Sequence, residues 1–112
     1  MAKEILTKAD FKEKVMDASP NTLVVIDFFA DWCGPCKAIA PKIDIMIESK
    51  MYKSVTFYKI NTDNPELEAI CQICKIASLP TFCFFRGGRY VTEVVGANLG
   101  EIQKNIEEIS KI

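Results

Sequence analysis

The spacing of apolar residues along the chain alternates between helical stripes and continuous apolar runs. Continuous apolar runs at residues 23–30 and 82–85 predict strands, and the first, interrupted only by Asp27, is expected to be buried on both faces. Residues 55–60 are predicted to form another strand between them. Around these runs, apolar residues recur at helical spacing, which predicts amphipathic helices. The last helical stripe consists of Leu99, Ile102, Ile106 and Ile109.

Capping and turn residues mark where the predicted elements begin and end. Three helix starts carry a capping residue followed by an acid or a proline: Thr7 with Asp10, Asn64 with Pro65, and Asn98 with Glu101. Ser19-Pro20-Asn21 is expected to end the first helix, and Gly87-Gly88 predicts a hairpin turn into a strand at 90–95. A short strand at residues 4–6 is expected before the first helix. The alternation of helices and strands predicts an α/β fold with a central mixed sheet and helices on both faces.

Length, charge and composition narrow the possible functions. The 112 residues fit a single domain, placed at residues 1–112. A net charge of −1 disfavours nucleic-acid binding, because no basic excess neutralises phosphates. No apolar run reaches the ~18 residues of a membrane span, so no membrane partner is expected. The absence of histidine excludes Ser-His-Asp and Cys-His hydrolases and histidine-containing zinc sites.

The cysteine count bears on the compartment. Five cysteines are an odd number, whereas a secreted disulfide-rich domain typically has an even set. The first ten residues carry charges where a signal peptide needs its apolar stretch. Both features predict a reducing intracellular compartment, the cytoplasm, where thiols are free or used in chemistry.

The segment Cys33-Gly34-Pro35-Cys36 lies between a predicted buried strand and a predicted helix. Two cysteines three positions apart in the first turn of a helix can reach disulfide distance. The helix N-terminus favours an anion, so Cys33 should ionise readily. Cys36, one turn further on, is expected to be the more buried, resolving thiol.

A zinc site is the alternative for these cysteines, with Cys71 and Cys74 as a second pair. The gap between the two pairs exceeds the ~15–20 residues usual in four-cysteine zinc modules. The alternative is therefore disfavoured, and no metal site is predicted.

The motif and its surroundings resemble the thioredoxin family. The matching signature reads Phe28-Phe29-Ala30-Asp31-Trp32-Cys33-Gly34-Pro35-Cys36-Lys37. The resemblance continues over nearly the whole chain through Asp27, Lys59, Pro80-Thr81 and Gly96. Two departures are Phe29, where many members have Trp, and the three extra cysteines.

The resemblance implies the thioredoxin fold, a central mixed five-stranded sheet flanked by four helices. It implies a protein disulfide reductase, a dithiol–disulfide electron carrier with no bound organic cofactor, which thioredoxin reductase reduces again. Oxidised proteins such as peroxidases or reductases are the expected substrates, and a monomer is expected. The Cys33 thiolate would attack a substrate disulfide, and Cys36 would resolve the mixed disulfide.

Two charged residues are expected to support the cysteines. Asp27, the only charge in an apolar run, should be buried with a raised pKa, and the family uses this position for proton transfer with Cys36. Lys59 shares strand parity with Val55 and Phe57, and the resemblance places it near Asp27. The alternative is a lysine that reaches solvent.

The resemblance also implies a shallow apolar surface that binds substrate, formed by Trp32, Pro80, Thr81 and Gly96. Trp32 is expected at its rim. The family has a cis bond before Pro80, and the neighbouring backbone can pair with an extended substrate. Gly34 and Pro35 complete the active-site turn. Pro35 stands where isomerase relatives have His, which favours a reductant with a potential near −270 mV over an oxidant near −180 mV.

The remaining cysteines leave more than one role open. Cys71 and Cys74 fall on a core stripe with Leu67 and Ile70, so burial is expected. The alternative is a regulatory thiol, because some animal cytosolic thioredoxins have extra cysteines in this helix. Cys83, in an apolar strand, is expected to be inert. Two other functions stay open, a redox-independent scaffold and an oxidant or isomerase with the same fold.

Overall fold

Five strands form one mixed sheet in the computed structural model, which describes residues 2–111. The spatial order is β1-β3-β2-β4-β5. The strands are β1 (Lys3–Glu4), β2 (Leu23–Phe29), β3 (Val55–Asn61), β4 (Thr81–Arg86) and β5 (Arg89–Val95). β1, β3 and β2 run parallel to one another, and β4 is antiparallel to both β2 and β5. The predicted mixed sheet is confirmed.

Four α-helices flank the sheet, as predicted: α1 (Lys8–Phe11), α2 (Gly34–Glu48), α3 (Glu68–Ile73) and α4 (Leu99–Ser110). Three shorter helical turns accompany them: a π-turn at Lys12–Met16 and 3₁₀ turns at Lys50–Tyr52 and Pro65–Leu67. Within residues 2–111, none of the helices is both long and apolar enough to cross a membrane.

The predicted capping residues begin the helices. In each cap, a side-chain oxygen accepts a backbone N–H two or three residues later: Thr7 from Asp10 at 3.0 Å, Asn64 from Glu66 at 3.0 Å, and Asn98 from Glu101 at 3.1 Å. Each bond satisfies an N–H group that the first helical turn cannot pair. Thr7 and Asn98 therefore cap α1 and α4, whereas Asn64 caps the 3₁₀ turn that leads into α3.

The ends of the first two elements differ from the prediction. β1 is Lys3–Glu4 rather than residues 4–6. The N–H of Ile5 still donates to the Lys59 carbonyl at 2.9 Å, but Leu6 turns out to solvent as the chain approaches α1. α1 continues into the π-turn, which ends at Met16, three residues before the predicted end at Ser19-Pro20-Asn21.

The alternation of β2 side chains separates two cores. Leu23 and Val25 pack with residues of α2 and α4 on one side, here called the α2 side. Val24 and Phe28 pack with residues of α1 and α3 on the opposite side, the α3 side. By the same alternation, Asp27 lies on the α2 side, beneath the helix that carries Cys36.

The hairpin between β4 and β5 depends on two glycines. Gly87 and Gly88 have φ values of 59° and 77°, a region that other residues rarely adopt. A Cβ on Gly88 would collide with the backbone carbonyl of Met16. We expect Gly88→Ala to lower the free energy of unfolding by about 2–4 kcal/mol, measured by urea denaturation. Gly100→Ala, in α4 with ordinary contact distances, should instead raise it by up to ~1 kcal/mol; equal effects would contradict the prediction.

Candidate active site

Cys33 and Cys36 form a disulfide at the N-terminus of α2. Cys33 is the capping residue of this helix, with extended φ and ψ of −86° and 108°, and Gly34 and Pro35 begin the first turn. Pro35 suits this position because it lacks an N–H that the turn would leave unpaired. The turn brings the two Cα atoms to 5.3 Å, within the range for a disulfide.

The electrostatics of the turn favour a thiolate at Cys33. The backbone N–H of Cys36 donates to Cys33 Sγ at 3.2 Å. Unpaired N–H groups and the helix dipole also place partial positive charge at this end of α2. In the reduced protein, the same donors would stabilise negative charge on Cys33 and make it the nucleophile.

The expected difference in burial between the two cysteines is wrong for the disulfide form. Cys33 is 4% exposed and Cys36 is 5% exposed. Both sulfur-bearing side chains pack against Ala30, with Phe29 and Leu79 covering the cluster. Both side chains belong to one small packed cluster, which covers them to the same extent.

Sheet topology brings the other predicted residues to the same edge as Cys33. β2 ends just before the cysteines, and β4 begins beside it, with Thr81 opposite Phe28. The Leu79–Pro80 bond is cis, as the resemblance implies. Gly96, directly after β5, donates its N–H to the Pro80 carbonyl at 2.8 Å. Residues far apart in the chain therefore meet around the disulfide.

Asp27 is a half-buried acid with one buried, unsatisfied oxygen. Its Oδ1 is closed off from solvent and has no hydrogen-bond partner among the described residues. Burial raises the pKa of Asp27 to about 7, and the positive charge of Lys59 opposes part of this rise. The expected raised pKa is confirmed. A carboxyl with this pKa can both accept and donate a proton near neutral pH.

Lys59 lies beside Asp27 on the neighbouring strand. The two residues are paired in the parallel register of β2 and β3. Lys59 is half-buried, and its Nζ lies 5.4 Å from the centre of the Phe29 ring. The expected position near Asp27 is confirmed, and the ammonium group of Lys59 lies over the aromatic ring of Phe29.

Trp32 lies at the surface next to Cys33, at the expected rim. It is 71% exposed, and its indole Nε1 donates to Asp63 Oδ2 at 2.9 Å. Asp63 was missed by the sequence analysis. The available signal was its place just after β3, because parallel β2 and β3 end at the same edge of the sheet.

Two residues expected on the substrate-binding surface have buried side chains. The Pro80 side chain is under 2% exposed, and Thr81 is 4% exposed. The Thr81 hydroxyl donates to the Ser78 carbonyl at 2.6 Å, so it stabilises the loop before β4. Both side chains are used in packing, because they enter a central strand here. Of the apolar side chains nearby, Trp32 is exposed, and Leu79, which the sequence analysis did not single out, is half-buried.

The other cysteines lie on the α3 side of the sheet. Cys74 and Cys83 are buried, and Cys71 is half-buried, so the expected core packing is confirmed fully only for Cys74 of the helical pair. The Cys33–Cys36 pair belongs to a separate cluster. Residues 2–111 contain no group of three or more His, Cys, Asp or Glu side chains placed to hold a metal ion. The fold therefore does not bring the four cysteines of the zinc alternative together.

A redox-active pair of cysteines at a helix N-terminus, with an acid of raised pKa on the same side of the sheet, can exchange two electrons and two protons with another disulfide. This fold and site define a dithiol–disulfide oxidoreductase.

Comparisons with known proteins identify the family. The thioredoxin family model matches residues 2–108. Thioredoxin-like protein R548 of Acanthamoeba polyphaga mimivirus is 47% identical over 108 residues, which cover 96% of this chain and 77% of that protein. Human thioredoxin is 38% identical over 109 residues, with 97% and 99% coverage. The crystal structure of Malassezia sympodialis thioredoxin superposes with a TM-score of 0.85 at 35% identity, covering 98% of this chain and 91% of that one. The chain belongs to the thioredoxin family, and it is a thiol–disulfide oxidoreductase.

Proposed function

We propose that this chain is a reductant of protein disulfides. The observation that carries the proposal is the Cys33–Cys36 pair with an uncharged Pro35 before the second cysteine. A cation at that position would stabilise the thiolate and make the disulfide more oxidising. Without it, the dithiol form gives up its electrons more readily.

The proposed reaction has two exchange steps. The Cys33 thiolate attacks one sulfur of the substrate disulfide, and the other substrate sulfur leaves as a thiolate. The Cys36 thiol loses its proton to the Asp27 carboxylate and attacks Cys33, which releases the reduced substrate and forms the Cys33–Cys36 disulfide. Asp27 suits this role because it lies beneath α2 with a pKa of about 7. Lys59 would position the carboxylate and moderate its pKa.

We propose that substrates bind across the surface formed by Trp32, Gly34, Pro35, Leu79 and Gly96. Trp32, Gly34 and Pro35 are exposed, whereas Leu79 and Gly96 are half-buried. The side chains of Pro80 and Thr81 are buried, so their contribution would come through the backbone beside them. An extended substrate segment can pair with such a backbone edge by strand addition.

The same site also supports proposals for the source of electrons, the oligomeric state and the compartment. The two cysteines carry both electrons, so the reaction needs no bound cofactor or metal. A flavoprotein, thioredoxin reductase, would restore the dithiol, and oxidised proteins such as peroxidases or reductases would consume it. The site is complete within one chain, which supports a monomer, and a reductant of this kind fits the cytoplasm.

The reduction potential of the Cys33–Cys36 pair tests the proposal. We expect a value near −270 mV. The protein would be equilibrated in dithiothreitol redox buffers, alkylated, and the tryptic peptide of residues 15–37 analysed by mass. Pro35→His is the matched variant, and its potential should rise toward about −180 mV. A wild-type potential near −180 mV would instead make the chain an oxidant or isomerase.

A further inference from the structure

An apolar pocket opens on the α3 side of the sheet, opposite α2. Its volume is about 720 Å³, which is sufficient for a small organic molecule. Its walls come from α1, the π-turn that follows it, α3 and the β4–β5 hairpin. The exchange reaction at Cys33 and Cys36 makes no use of this pocket.

The buried part of the wall, here called the floor, consists of packed aromatic rings. The rings of Phe11 and Phe85 meet edge to face, with their centres 5.9 Å apart. The Tyr90 ring packs in the same way against Phe85, at 5.3 Å. Because these rings already hold one another in place, an apolar ligand can lie on the floor without ordering it first.

The outer part of the wall leaves apolar side chains in water. Ile73 is 78% exposed, and Met16 and Tyr90 are also exposed, yet all three line the pocket. A ligand with an apolar body would remove this surface from water, which favours binding. A small, strongly hydrated molecule would gain nothing from such walls.

Positive charge prevails among the charged side chains that line the pocket. Lys8 and Lys75 are both exposed there, and the ion pairs within residues 2–111 involve other lysines. Glu93 is the acid that lines the pocket, and its Oε1 already accepts the Tyr90 hydroxyl at 2.6 Å. Two ammonium groups against one hydrogen-bonded carboxylate favour a ligand with a negative head group.

The backbone at Lys75 gives a second indication. Its φ is 56°, a left-handed value that no other non-glycine residue within 2–111 adopts. The N–H groups of Lys75 and Ile76 donate to the Gln72 and Cys71 carbonyls, both at 3.0 Å, which ends α3 in a motif that usually has glycine at this position. A lysine here strains the backbone where glycine would not, and its side chain lines the pocket.

We propose that the pocket binds a fatty acid of medium chain length, with the alkyl chain on the aromatic floor and the carboxylate beside Lys75 and Lys8. The chain replaces water against the apolar walls, and the head group supplies the negative charge that the two lysines lack. This ligand site is separate from the Cys33–Cys36 disulfide, so binding and disulfide exchange can be measured independently.

Titration of the ¹⁵N-labelled oxidised protein with three probes tests the proposal. The probes are octanoate, decanoate below its micellar concentration, and the uncharged 1-octanol. We expect saturable amide shifts in α1, α3 and the β4–β5 hairpin, with decanoate binding more tightly than octanoate and octanoate more tightly than 1-octanol. Absence of saturable shifts, shifts confined to the α2 side, or equal affinity for octanoate and 1-octanol would overturn the proposal.

Paired variants separate the head group from the chain. Lys75→Gln should weaken octanoate binding by up to about fivefold and leave 1-octanol unchanged, as expected for one partly exposed ion pair. Ile73→Gln should weaken both probes. The matched controls Lys53→Gln and Ile45→Gln lie outside the pocket and should change neither affinity. Unchanged octanoate binding in both Lys75→Gln and Lys8→Gln would overturn the position of the carboxylate.

Lys75→Gly distinguishes a ligand contact from a structural role. Glycine relieves the left-handed backbone, so the urea midpoint should rise while octanoate binding weakens as much as in Lys75→Gln. A lower midpoint would show that the lysine serves the helix end, which would overturn its assignment to the ligand. If light scattering found a dimer that Ile73→Gln abolishes, and decanoate did not bind, a second copy of the chain would cover this face instead of a fatty acid.

Discussion

A Cys36→Ser variant is expected to stop disulfide exchange at the mixed disulfide. Cys33 would still attack a substrate disulfide, because the donors that stabilise its thiolate are backbone groups of the α2 turn. Without the second sulfur, the substrate cannot be released. We expect turnover to fall to the level of the assay without protein, and a covalent adduct with an oxidised protein substrate to accumulate, measured by intact mass.

Two further variants control this experiment. Cys33→Ser should lose turnover equally but form no adduct, because it removes the nucleophile. Cys71→Ser removes a thiol on the α3 side of the sheet and should keep full activity. If the double variant Cys33→Ser/Cys36→Ser preserved the biological function, the chain would be acting as a redox-independent scaffold. An adduct with Cys33→Ser would contradict the assigned order of attack.

The elements around the site were predictable because their signals are local. Asn64 and Asn98 cap helices through neighbours within three residues, and Gly87-Gly88 sets the hairpin by its own conformation. The cysteine motif is equally local, since one helical turn fixes the geometry of Cys33 and Cys36. Such features need no knowledge of distant parts of the chain.

The parts that could not be predicted depend on contacts between distant segments. Asp63 meets Trp32 only because β2 and β3 are parallel and end together. Pro80 is buried because the chain enters β4 between two neighbouring strands. Cys74 at the end of α3 and Cys83 in the middle of β4 belong to the same buried cluster, which sequence spacing does not indicate. In each case, the sheet order decides what a residue touches.

Asp27→Asn is expected to stabilise the protein, and more so at higher pH. The folded pKa of Asp27 is about 7, against 3.8 for an ordinary aspartate. The folded state therefore binds more protons than the unfolded state between these values, so this group lowers stability as the pH rises from about 4 to 7. The difference corresponds to at most about 4 kcal/mol above pH 7. Urea denaturation at pH 5 and pH 8 should show that Asp27→Asn raises the free energy of unfolding more at pH 8 than at pH 5.

The same variant should slow exchange, because the amide cannot accept the Cys36 proton. At pH 8, where the wild-type carboxylate is ionised, we expect the release of reduced substrate to slow by up to about 10²-fold, the low end of general acid–base catalysis. The wild-type rate should rise with pH through an inflection near 7 that Asp27→Asn lacks, measured by stopped-flow Trp32 fluorescence. Asp31→Asn removes an exposed charge two residues before Cys33 and should keep the inflection. If Asp27→Asn raised the free energy of unfolding but left the pH profile of the rate unchanged, Asp27 would have no role in exchange. A higher free energy of unfolding together with loss of the inflection would show that the same buried carboxyl destabilises the fold and transfers the proton.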